Sequence, residues 1–400
     1  MCAAAAFAAL LATTPLFAAD QAKPPQVSAV LQKPLAEIQD LLKQNKFPEA
    51  IDKLKAADAL PGKTPYDQHT INQDTAFACS KTNDAPCVSK ALQGLIDDGF
   101  TSAEDNQKFT RLVASIAYQE KDFPKVIDYG NRAIKGGFAT DETYGMVGAA
   151  YYLNNDFKTA AQFEDARIAD LAKKGQKPSS DDVNIYLSSC VKLNDPQCIA
   201  KGLNYQLMYY PKPEAWSQAI SQVHPKGDVE TLQTYRLMVD VGAMSGGDEY
   251  LDMANISMTR GSPGDAQHAL QLGMDAGAFT GSKATEAQKV MAEAKRAAAT
   301  DQASLAKTEQ EANASANGIK NAGVGLAYLG YQQYDKAAEQ LAKAVSKGGL
   351  KNDADTRLDL GIAQLKSGHK DDAVKTFQSV KGSPTLEQLA ALWVIHAQQT

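Results

Sequence analysis

The chain has 400 residues, enough for about two or three globular domains unless a regular repeat lets one elongated body grow without a single large core. It is Ala-rich and acidic, with a net charge of −6, 7% aromatic residues and two Trp. That balance lacks the basic excess a phosphate-binding surface requires, so nucleic acid is not an expected partner.

The first twenty residues, MCAAAAFAALLATTPLFAAD, form an uncharged apolar run of small residues closed by Pro15, Phe17, Ala18 and Ala19. They read as the core and end of a secretory signal, assigned to residues 1–19, and the run is too short to span a bilayer. No Lys or Arg precedes it, which a start codon assigned too far downstream would explain. Cys2 precedes the run and belongs to the discarded peptide. No later segment is apolar enough to cross a membrane, so the mature chain is expected in the periplasm or secreted.

From about residue 30 onward, the sequence predicts helices in pairs. A small or apolar residue marks the second helix of each pair at Ala50, Val88, Val126, Ala160, Ile199, near Val229, Ala266, near Gln302, Ala337 and Ala373, at steps of 30 to 39 residues. Three copies are plainest: FKTAAQFEDA from Phe157, YDKAAEQLAKAV from Tyr334 and KDDAVKTFQSV from Lys370. Each follows a helical stretch with a glycine, Gly148, Gly325 or Gly361, twelve residues before the alanine. Aromatic residues Phe47, Phe123, Phe157 and Tyr334 stand three before the marker, and Leu54, Leu203, Leu270, Leu341 and Phe377 four after it. Glycine-plus-apolar stops at IDDGF (Ile96), IKGGF (Ile134), MDAGAF (Met274) and VSKGGL (Val345) read as left-handed C-caps. The pattern is weakest at 214 to 244 and at 281 to 316, a long Ala/Glu/Lys helical stretch read as an inserted helix pair or a hinge. The last segment, from Pro384, reads as a capping helix.

These features resemble the tetratricopeptide repeat, in which a small residue on the first helix touches an alanine on the second where two antiparallel helices cross. The resemblance implies an all-α fold, a superhelical solenoid of about ten helix-turn-helix hairpins. The expected organisation is N-terminal repeats over 20–213, degenerate repeats over 214–316, C-terminal repeats over 317–382 and a capping helix over 383–400. It also implies a concave groove lined by fixed positions of the first helices. In two adjacent units these fall on Lys108, Arg111, Ser115, Tyr118 and Gln119, then on Glu142, Gly145, Ala149, Tyr152 and Leu153. Such a wall suits an extended acidic segment of a protein partner, with Arg111 bonding carboxylates and the tyrosines giving contact area. The competing reading makes Lys108 and Arg111 a solvated helix face and the tyrosines packing between repeats. The Lys and Asn set of the family's carboxylate clamp is missing.

Four cysteines form two pairs of equal spacing in matching contexts, FACSKTNDAPC for Cys79 and Cys87 and LSSCVKLNDPQC for Cys190 and Cys198. In the repeat register each pair faces across a tight turn at a separation a disulfide bridges, as in secreted proteins of the related Sel1-like type. Buried free thiols or a metal site are the alternatives.

No catalytic constellation and no cofactor motif stands out. ALPGKT at Ala59 to Thr64 matches the end of a phosphate-binding loop, but Ala57 replaces the first glycine, a helix precedes it where a strand is needed, and Pro61 removes an amide. The five histidines, His69, His224, His268, His369 and His396, show no metal or triad spacing. The expected function is therefore a non-enzymatic protein-binding scaffold of the bacterial envelope. The alternatives are a regulatory or structural subunit of an envelope enzyme with a pocket between 214 and 316, or part of a secretion or export complex.

Overall fold

The computed structural model describes residues 25–400, and among these it contains twenty helices and no strand. The N-terminal run read as an export signal, with Cys2, lies outside the described residues. The chain divides after Asn194 into two compact units.

Unit 1 holds α1 (Ala29–Lys43), α2 (Phe47–Asp58), α3 (Pro65–Lys81), α4 (Ala85–Leu95), α5 (Ala103–Gln119), α6 (Phe123–Lys135), α7 (Asp141–Leu153), α8 (Phe157–Lys173) and α9 (Ser180–Leu193). Each helix packs on the next, and the first helices α5, α7 and α9 also touch one another, which makes a continuous wall. Local chemistry sets the boundaries. First helices open on a hydroxyl: Thr64, Ser102, Thr140 and Ser179 each accept from the N–H three residues on, satisfying a donor with no helical partner. Asp84, Asp122 and Asp156 cap α4, α6 and α8 in the same way. Between the helices of each hairpin one residue takes the left-handed conformation: Asn45 (φ 58°), Asn83 (φ 55°), Lys121 (φ 61°) and Asn155 (φ 62°). Each stands five residues before the marker of its second helix, and Ala50, Val126 and Ala160 are fully buried there. The phosphate-loop lookalike is a turn, with Gly62 at φ 77° and Thr64 capping α3.

Unit 2 holds α10 (Pro196–Tyr209), α11 (Pro213–Ile220), α12 (Asp228–Asp240), α13 (Gly247–Thr259), α14 (Pro263–Asp275), α15 (Ser282–Ala314), α16 (Ile319–Gly330), α17 (Tyr334–Lys347), α18 (Asp353–Lys366), α19 (Lys370–Gln378) and α20 (Pro384–Gln399). Where the register places a hairpin near Gln302, α15 runs unbroken for 33 residues, because no Gly or Pro interrupts it. Successive helices from α12 to α20 pack in turn, and α20 packs back on α10 and α12, so this part closes into a ring of contacts. Trp393 on α20 is buried and stacks on Phe377 at 5.7 Å between ring centroids. The glycine stops hold as expected at Gly137 and Gly277, but α4 ends at Leu95 with Asp97 (φ 62°) in the left-handed position two residues ahead of Gly99, and α17 ends on Gly348 at φ 68° and ψ −161°, an extended turn-out open to glycine and not a left-handed helical cap.

The glycines of the first helices meet something other than the expected alanine. A Cβ on Gly148, Gly325 or Gly361 would first strike Glu164, Leu341 or Phe377. The gap left by each glycine thus receives the large side chain four residues after the marker, one turn along the second helix.

Candidate functional site

The wall made by α5, α7 and α9 carries the residues the repeat register singles out. Lys108 pairs within its own helix, with Glu104 at 2.7 Å and Asp105 at 3.7 Å, and the bond to Glu104 raises its pKa. Arg111 donates from Nη1 to the Phe138 carbonyl oxygen at 3.0 Å and lies over the Phe138 ring, 6.0 Å from its centroid. Its guanidinium therefore ties α5 to the loop between α6 and α7. Tyr118 packs beside Phe123, Ile127 and Met146 on the core formed by Ala117, Val126 and Ala150. Tyr152 meets Phe157 edge-on at 5.3 Å. Arg111, Tyr118 and Tyr152 are thus engaged in packing within and between repeats, and Ser115 is half-buried. Glu142 and Leu153, the latter 47% exposed, face solvent, and Gly145 leaves open space beside them.

Behind α7 stands a group that sequence reasoning missed. Glu164 on α8 occupies the repeat position of Leu54, Leu341 and Phe377, is 0% exposed, and neither carboxyl oxygen has a partner. Nearby, Arg167 bonds Asp141 at 2.7 Å, lies 4.1 Å from the Tyr144 ring centroid, and holds Nε 4.0 Å from Asp182. Burial, helped by Asp182 and opposed by Arg167, pushes the Glu164 pKa up to about 9. The group is neutral at pH 7, which is how an unpartnered carboxyl tolerates this site.

Cys79 and Cys87 are bridged, with Cα atoms 5.9 Å apart, and Cys190 and Cys198 are both disulfide-bonded as well. Asp84 lies close to Cys79 and Cys87, but the two sulfurs are already joined.

Unit 2 contains a second constellation not legible beforehand. Buried Arg236 on α12 bonds Asp265 on α14 through Nε at 3.1 Å and Nη2 at 2.5 Å, and Asp359 on α18 through Nη1 at 2.5 Å. One turn earlier, Gln233 donates to Asp355 at 2.7 Å and to Asp359 at 2.6 Å. Arg260, just after α13, bonds the other Asp355 oxygen at 2.7 Å. Burial holds the Asp359 carboxyl above the usual range, against the pull of Arg236. Two cavities adjoin this network. One, of about 80 Å³, is bordered by Arg236, Asp240, His268, Lys366 and Trp393. The other, of about 180 Å³, is bordered by Arg260, Asp355, Asp359 and the α16 residues Ile319, Ala322 and Leu326. In repeat register these last three correspond to Glu142, Gly145 and Ala149 of α7, so groove positions line an actual cavity here.

No family model and no curated protein matches the chain. Among solved structures it is similar to that of Naa15/Naa10 bound to HypK-THB, at 14% identity and TM-score 0.27, and to the pentatricopeptide repeat protein PPR10 from maize, at 14% and 0.30. It is also similar to the Cut9-Hcn1 hetero-tetramer of APC/C, at 10% and 0.21. The matches cover 87%, 87% and 86% of this chain but only 63%, 53% and 58% of the solved chains, less than two thirds of each.

Proposed function

We propose that this chain is a non-enzymatic protein-binding scaffold of the bacterial envelope, and that unit 1 takes partner segments along the wall of its first helices. The observation that carries the reading is the direct contact of α5, α7 and α9, which lines up one long face whose outward side chains include Glu142 and Leu153. Parallel rows of this kind accept an extended segment or a helix laid across several repeats. The contacting residues on this reading are Glu142, Leu153 and the open side of Gly145, with Lys108 and Ser115 flanking them, while Arg111, Tyr118 and Tyr152 hold the wall in shape. Two features support an exported location: the apolar N-terminal run and the oxidised state of Cys79, Cys87, Cys190 and Cys198.

The test replaces the exposed Glu142 by Lys and the half-exposed Leu153 by Glu, and compares proteins crosslinked to each variant and to the parent in the native organism. Loss of specific crosslinks with helicity retained is the expected outcome. An unchanged partner set in both variants removes this wall as the binding face. Fractionation and thiol trapping test the location, and recovery in the cytoplasm with free thiols overturns it.

A further inference from the structure

We propose that the first cysteine hairpin is a redox-gated zinc site, shut by its disulfide when oxidised and open to zinc(II) when reduced. Cys79 sits near the end of α3, Asp84 is the N-cap of α4, and Cys87 lies on the first turn of α4. One donor atom from each, two sulfurs and a carboxylate oxygen, lies within 4.8 Å of the other two. Two thiolates that share a tetrahedral zinc at about 2.3 Å each stand about 3.8 Å apart. Once their bond is reduced, the two sulfurs reach that separation by side-chain rotation, with the hairpin backbone left in place.

The hairpin scaffold accounts for the third donor. Asn83 (φ 55°) sets the tight turn, and Asp84 caps α4 through Oδ1, which accepts from the Cys87 N–H at 3.1 Å. Asp122 and Asp156 cap α6 and α8 from the same register position, but there Ala117 and Lys125, then Tyr151 and Thr159, stand where the cysteines would be. The capping carboxylate is thus general to these hairpins, and the thiols on either side of it turn a cap into a chelate. Capping engages Oδ1 and leaves Oδ2 for a metal. Asp84 is exposed and Cys87 half-buried, so an ion enters from solvent, while Cys79 closes the inner side. Two sulfurs favour zinc over calcium or magnesium, which take oxygen donors, and three protein donors leave the fourth position to water. A dithiol reductant opens the site: its two thiols become a disulfide, and two electrons and two protons pass to Cys79 and Cys87. Zinc then displaces both thiol protons, and the hairpin is held by the ion in place of the sulfur–sulfur bond.

The test uses the full chain, oxidised or reduced with a water-soluble phosphine, dialysed against zinc chloride. The spacing C-x4-D-x2-C recurs at Cys190, Asp195 and Cys198, so bound zinc is read as a difference between parent and variants. Reduced parent should hold about one zinc more per chain than reduced Cys79→Ser/Cys87→Ser, with about two protons released for that ion near pH 7. Oxidised parent should hold none at this hairpin. Asp84→Asn keeps a capping side chain and should retain helicity while raising the zinc Kd severalfold. Trp216 and Trp393 both lie in unit 2, and the melt they report should coincide in reduced parent and variants. Equal zinc in oxidised and reduced parent, no difference from the double serine variant, uptake without proton release, or an unchanged Kd in Asp84→Asn overturns the proposal.

Discussion

Replacing Glu164 by glutamine should stabilise unit 1 at neutral pH and leave it unchanged in acid. The ordinary pKa of this carboxyl is 4.5 and its folded value is about 9. Between those values the folded state holds a proton that the unfolded state releases. Stability therefore falls as pH rises through the window, by about 1.36 kcal/mol for each unit. Below pH 4 both states are protonated and the penalty vanishes. At pH 7 it amounts to about 3 kcal/mol, and it keeps growing until the folded group itself ionises near pH 9. Glutamine keeps the shape that fits beside Gly148 and cannot titrate. Glu164→Leu should gain more, since it also removes two unpartnered oxygens and restores the residue found at Leu54 and Leu341. Urea unfolding at pH 4.5 to 8.5 is followed by circular dichroism for the whole chain and by tryptophan fluorescence for unit 2 alone. The transition seen only by circular dichroism should lose its pH slope above about pH 6 in Glu164→Gln, the slope below that belonging to Asp74, whose carboxyl burial pushes up to about 6, while the fluorescence transition stays put. A variant that keeps the parent's slope, or loses stability at pH 8, would refute the burial argument.

Other changes have outcomes fixed by the same structure. Converting Cys79 and Cys87 to serine opens a nine-residue loop and should lower unit 1 stability by about 2.5 kcal/mol on the chain-entropy estimate, read from urea midpoints against the oxidised parent. Arg236→Ala strands Asp265 and Asp359 without their guanidinium and should cost unit 2 about 3–5 kcal/mol, visible in the tryptophan-detected transition. Two glycines of α16 should respond in opposite directions in thermal melts. Gly323→Ala meets open space and gains about 0.5–1 kcal/mol of helix propensity, whereas Gly325→Ala drives a methyl into Leu341 and should lose about 1–3 kcal/mol.

The repeat was legible because local chemistry enforces it. A marker residue, a tight turn and a glycine stop each have a short-range cause, and they recur in step. The turn is the most regular of these: Gly261, Gln332 and Gly368 in unit 2 take the left-handed conformation five residues before Ala266, Ala337 and Ala373, as the asparagines do in unit 1. Only Gly and Asn adopt it at little cost, so the exceptions Lys121 and Gln332 hide the pattern from a search by residue type. Glu164 was legible in principle. An acidic residue on a helix ordinarily reads as solvated, but the register places this one in a column of Leu and Phe, and that discord is the signal of a buried carboxyl.

The Arg236 network had no such signal, and the reason lies in how a repeat chain bends. Gln233 and Arg236 meet Asp355 and Asp359 across 122 to 126 residues of sequence. Which helices meet at that distance depends on the sum of small rotations between successive repeats, plus the span of α15, and none of these is written in any one repeat. The local evidence pointed the other way: α12 lies where the repeat is weakest, and its charged residues resemble a solvent face. The closure of α12 against α18 and α20 converts that face into the interior of unit 2. A change that loosens α20 from α12, such as His396→Ala opposite Asp240, should therefore weaken the closure that buries the Arg236 network and lower the tryptophan-detected urea midpoint of unit 2, and an unchanged midpoint would refute that role for the contact.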